Sequence, residues 1–73
     1  MSTGTIPSYV RLANDIAVQF HGRADVDRVV TEIAGHMRSF WDPRMKTALI
    51  EYVDSGGADL DELAVRAAEL LRP

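Results

Sequence analysis

An all-α fold, a small single domain of four short helices packed as a bundle, is what this 73-residue sequence predicts. Three observations lead there. Apolar residues recur at three- and four-residue steps in four separate stretches, the spacing that gives a helix one buried face. The stretches are parted by turn chemistry at His21-Gly22, Asp42-Pro43 and Gly56-Gly57, each a signal that stops a helix or starts one. No segment alternates apolar and polar residues as a half-buried strand does, so nothing competes with the helical reading.

Residues 1–7 carry small, turn-forming residues and a proline and are read as a flexible lead-in to a single domain spanning 1–73. The first helix opens at Ser8 and puts Tyr9, Leu12, Ala13, Ile16 and Phe20 on one face before His21-Gly22 ends it. The second starts near Ala24 or Asp25, where acidic side chains suit the positive end of a helix. It runs to Trp41 through Val26, Val29, Val30, Ile33, Met37 and Phe40. Gly35 within it is about 1 kcal/mol worse than alanine as a helix former, which points to close packing of another backbone. The third helix begins at Asp42-Pro43, buries Met45, Leu49, Tyr52 and Val53, and stops at Ser55-Gly56-Gly57. The fourth takes Asp59 or Asp61 as its cap, with the Asp59/Glu62 spacing of a capping box. It continues through Leu60, Leu63, Ala67, Leu70 and Leu71 to Pro73.

Composition narrows the function. The sequence has no cysteine, which removes disulfides, thiolate zinc sites and thiolate-held iron–sulfur clusters together and suits a cytoplasmic protein. No apolar run approaches the ~20 residues that span a bilayer, and the N-terminus has no signal-peptide pattern, so no membrane role is expected. Residues 1–50 carry six Lys/Arg against five Asp/Glu, and residues 51–73 two against six, for a net charge of −3. That balance is a poor footprint for nucleic acid. Catalysis by a single chain needs a nucleophile with a base, paired carboxylates in a cleft or a metal set. His21 and His36 lie too far apart for a familiar metal spacing, and the acidic residues around Gly56-Gly57 fit helix caps better than a calcium loop. The double glycine lacks the flanking glycines and lysine of a phosphate-binding loop. No catalytic, cofactor-binding or metal-ligating residues are therefore expected.

The densest segment is Phe40-Trp41-Asp42-Pro43-Arg44-Met45. Asp42 is suited to cap a helix whose first position is Pro43, and the proline pushes Asp42 out of the helical conformation, so two helices meet there at a tight corner. Arg38, Arg44, Lys46 and His36 crowd the aromatic pair. Phe40 continues the apolar stripe and is expected in the core. Trp41, one step off it, fits either a cap on the bundle's own core or an anchor for a partner, since tryptophan and arginine are enriched among interface hot spots. The residues expected to bind a partner are Arg38, Phe40, Trp41, Asp42, Pro43, Arg44 and Met45.

Three stretches together resemble a known family: Val10-Arg11-Leu12-Ala13-Asn14-Asp15-Ile16, Ile33-Ala34-Gly35-His36-Met37 leading into Phe40–Met45, and Gly56-Gly57 before Leu60-Asp61. They look like the small delta subunit of bacterial NAD-dependent, molybdenum-containing formate dehydrogenase, over nearly the whole chain. Two departures are the longer polar lead-in before Tyr9 and Glu62 after Asp61, where a proline is usual. The resemblance implies a non-catalytic accessory subunit that stabilises the catalytic alpha subunit or assists its assembly and cofactor insertion. In that family the alpha subunit holds the bis-MGD molybdenum cofactor and iron–sulfur clusters, and beta and gamma subunits pass electrons through further clusters and FMN to NAD⁺. The alternative from another class is a small helix-turn-helix-like DNA-binding or antitoxin-type regulator, suggested by the short turn at Asp42-Pro43.

Overall fold

A computed structural model describes residues 6–73, so all but the last two residues of the expected lead-in lie outside the described residues. Four helices follow in order: α1 Ser8–Val18, α2 Val26–Phe40, α3 Pro43–Asp54 and α4 Glu62–Leu70. No strand occurs among the described residues. The all-α reading holds. Asp25 caps α2 by accepting from the Arg28 N–H at 3.2 Å. Asp61 caps α4 by accepting from the Leu63 N–H at 2.9 Å. The capping box expected from Asp59 does not form, because Asp59 sits in the left-handed region at φ 64° and belongs to the turn. Helices α1 and α4 are shorter than their stripes: α1 gives way after Val18 to turns in which Phe20 and His21 donate to the Ala17 and Val18 carbonyls.

The shortest helix is the central one. α4 packs against each of the other three, most extensively against α2, and α1 also meets α3. Ala64, Ala67 and Ala68 of α4 and Ala13 and Ala17 of α1 are fully buried in one core, and such small side chains let helix backbones approach closely. Ile33, Met37, Leu49 and Trp41 supply most of the large apolar volume. Burial on α1 centres on Val10, Ala13 and Ala17, which rotates the face away from Leu12 and leaves that residue exposed. Leu70 is likewise exposed at the end of α4, although its stripe placed it inside.

Two packing details differ from expectation or extend it. A Cβ built on Gly35 meets nothing within 4 Å, so no second backbone explains that glycine. Gly35→Ala is expected to stabilise the domain by about 0.5–1 kcal/mol, because alanine is the better helix former and restricts the unfolded chain. A thermal melt should shift upward by roughly 2–8 °C, and an unchanged or lower midpoint would show that the glycine has a role in the packed structure. At the far end, Arg72 ties Asp54 of α3 to Glu69 of α4. Its hydrogen bonds hold both carboxyls below their ordinary range and push the guanidinium further up.

Candidate functional site

The corner between α2 and α3 forms as its local chemistry demands. Asp42 is extended at φ −74°, ψ 165°, and its Oδ1 accepts from the Met45 N–H at 2.9 Å, with Pro43 at the start of α3. That side-chain bond satisfies one of the donors left open at a helix N-terminus. Trp41 leaves α2 in an extended conformation while its N–H still donates to the Met37 carbonyl at 2.8 Å. A chain that turns out of the helix at this point can bring one aromatic under the helix end while the other stays outside.

The aromatic pair divides the opposite way from the helical stripe. Phe40 is 76 % exposed, whereas Trp41 is 8 % exposed and joins the core with Met37, Leu49 and the alanines of α4. The expected burial of Phe40 is thus corrected, and the open choice for Trp41 falls on the core side in the isolated chain. The physical reason is the break at Phe40: once the backbone extends at Trp41, the i+4 neighbour of Met37 turns inward and the i+3 neighbour is left on the rim. Phe40 rests on His36 one turn back, with ring centroids 4.8 Å apart and planes tilted by 40°. Met45 is half-buried against the core, and Asp42, Pro43 and Arg44 are exposed.

The cations expected around this corner are of two kinds. Arg38 donates through Nη2 to the Leu70 carbonyl at 2.8 Å, so it closes the C-terminal end of α4. Arg44 and Lys46 have no ion pair or side-chain hydrogen bond among the described residues. A shallow groove runs along α3 from Pro43 and Arg44 past Thr47 and Ala48 to Glu51.

A second constellation, absent from the sequence reading, holds the loop before α4. The Asn14 side chain donates through Nδ2 to the Asp59 carbonyl at 2.9 Å and accepts through Oδ1 from the Asp61 N–H at 2.7 Å. The Tyr52 hydroxyl donates to the Ala58 carbonyl at 2.7 Å, and its ring meets Tyr9 edge-on. His21 Nε2 lies 2.6 Å from Asp61 Oδ2, while Asp61 Oδ1 caps α4. The signal for Asn14 is weak in the sequence, a lone polar residue whose partners lie 45 and 47 positions away.

A histidine–carboxylate pair invites comparison with acid–base machinery. The depression of about 180 Å³ beside it is lined by Phe20, His21, Gly22, Arg23, Val26, Val29 and Leu63. Its neighbour adds only Asp61, Glu62 and Arg66. Neither contains a serine, threonine, cysteine, tyrosine or lysine for His21 to activate. Among the described residues there is no group of three or more His, Cys, Asp or Glu placed to hold a metal, and no helix is long and apolar enough to cross a membrane. What the surface offers at the α2–α3 corner is contact: the exposed Phe40, the exposed Arg44 and the half-buried Lys46, the two cations without partners among the described residues.

The sequence profile of the family described as FdsD, NADH-dependent formate dehydrogenase delta subunit, matches residues 9–68 of the chain. No curated protein and no solved structure matches it.

Proposed function

The chain belongs to the family of NADH-dependent formate dehydrogenase delta subunits, and from that membership we propose that it is a non-catalytic accessory subunit. In this reading it docks in the cytoplasm on the catalytic alpha subunit and stabilises it or assists its assembly and cofactor insertion. Family membership carries the proposal. Its own residues support it: with no cysteine the chain cannot hold iron–sulfur clusters by thiolates, and without a glycine-rich fingerprint it lacks the cradle for a dinucleotide. The bis-MGD molybdenum, the clusters and FMN then belong to the alpha, beta and gamma subunits. Phe40, Pro43 and Arg44 form the contact surface of the corner. Asp42 sets its angle, while Trp41, Met45 and Arg38 brace it from behind.

The regulator alternative receives less support. In a helix-turn-helix the two helices flanking the turn pack on each other, whereas α2 and α3 pack mainly on α4. Co-expression with the alpha, beta and gamma subunits tests the proposal. The chain is expected to co-elute with the dehydrogenase while the purified 73-residue protein binds no metal or flavin, and a complex made without it should carry less molybdenum or lose activity faster. Stoichiometric metal or flavin in the isolated chain would overturn this function. So would a dehydrogenase that neither retains the chain nor changes when it is omitted.

A further inference from the structure

The α2–α3 corner carries charge as well as an exposed ring, and the charge is not balanced within the chain. Between His36 and Thr47 stand Arg38, Arg44 and Lys46 against the single carboxylate of Asp42, in a protein of net charge −3. Asp42 spends one oxygen on the Met45 N–H and Arg38 is bonded to the Leu70 carbonyl. Elsewhere most cations have company, the exposed Arg11 excepted. Arg28 pairs with Glu32, Arg66 with Glu62 and Arg72 with Asp54 and Glu69, while Arg23 lies over the Phe20 ring. Arg44 and Lys46 have no such partner among the described residues, and they occupy the first turns of α3, the end where the helix dipole disfavours a positive charge. Local stability does not account for that placement. Among the described residues, Phe40 beside them is the most exposed large apolar side chain and meets another ring only at His36.

We infer that this corner receives an acidic surface of the catalytic subunit, with Phe40 filling an apolar socket and Arg44 and Lys46 meeting carboxylates around it. The inference rests on the accessory-subunit reading and adds to it the chemistry of the partner's side. An apolar centre with charges at its rim gives the centre most of the affinity and the rim most of the salt dependence. Nucleic acid is the less suitable occupant, because the remaining surface is acidic and would repel a phosphate backbone.

Binding of the full chain to the purified catalytic subunit, measured at low and high salt, tests this. Phe40→Ser is expected to weaken binding at least tenfold at both salt concentrations. Arg44→Glu with Lys46→Glu should weaken it at least tenfold at low salt, with the gap closing at high salt as the charges are screened. Arg44→Glu alone, at an exposed position, serves where the double variant loses helix content by circular dichroism, and should show the same trend at smaller size. If the unaltered chain binds and these variants bind equally well, the inference is overturned while the accessory role stands. Tighter binding by the charge-reversed chain would overturn it too, as would binding to duplex DNA that these substitutions abolish. If the unaltered chain does not bind the catalytic subunit at any salt, the accessory reading fails and the inference fails with it.

Discussion

Trp41→Ala is expected to remove roughly a quarter or more of the protein's stability. Removing a buried large aromatic costs about 3–5 kcal/mol. At ~0.05–0.15 kcal/mol per residue, 73 residues have on the order of 4–11 kcal/mol in total. The loss is a large fraction of what is available. The site is unforgiving because Trp41 is one of few large side chains in a core otherwise rich in alanine, so little surrounds it that could collapse into the vacancy. Thermal and urea unfolding followed by far-ultraviolet circular dichroism measure the effect. Phe40→Ala in the same assay should stay within about 0.5 kcal/mol of the parent, as exposed substitutions do. A Trp41→Ala protein as stable as the parent would place the indole outside the core and return it to the list of partner anchors.

Asn14→Ala comes next, with an expected loss of about 2–3 kcal/mol. Two hydrogen bonds disappear together, and the part-buried Asp61 N–H is left without its acceptor. The bonds sit at the turn where, alone among the described non-glycine residues, Asp59 holds a positive φ. Without the Asn14 carboxamide, α1 loses its direct hydrogen bonds to that strained turn. Hydrogen exchange should report the loss first in the amides of residues 58–63, ahead of α2. Uniform weakening of all four helices with no local excess at that loop would contradict the clamp.

The parts of the fold that were legible in the sequence are those decided by neighbours. Asp42-Pro43 marks a boundary through hydrogen bonds and sterics within four residues, and α3 begins where that chemistry puts it. The division of Phe40 from Trp41 was not legible. Counting the exposed Val26 in the stripe tilts it toward Phe40, whereas at ~100° per residue the two lie roughly 50° to either side of the middle of the face that is buried, Val29, Val30, Ile33, Ala34 and Met37, and periodicity about that face does not separate them. Only the backbone leaving the helix at Trp41 separates them. Arg38 and Asn14 were illegible for another reason: their partners are 32 and 45 residues away, and a side chain that reaches across the bundle leaves no local trace. In the candidate site, the corner and its cations could be read from the sequence, but which aromatic faces outward could not.

The central place of α4 gives the chain a direction in time. During synthesis the segments of α1, α2 and α3 emerge first, yet the helix that each of them packs against is the last of the four to be made. Small domains fold as units, and exposed apolar faces that wait for a missing element are prone to stray association. Until residues 62–70 have been translated, three amphipathic segments lack the alanine-faced centre that buries them. Packing of the domain therefore waits for residues 62–70, and a chaperone or partner that shields those faces has its greatest leverage in that interval.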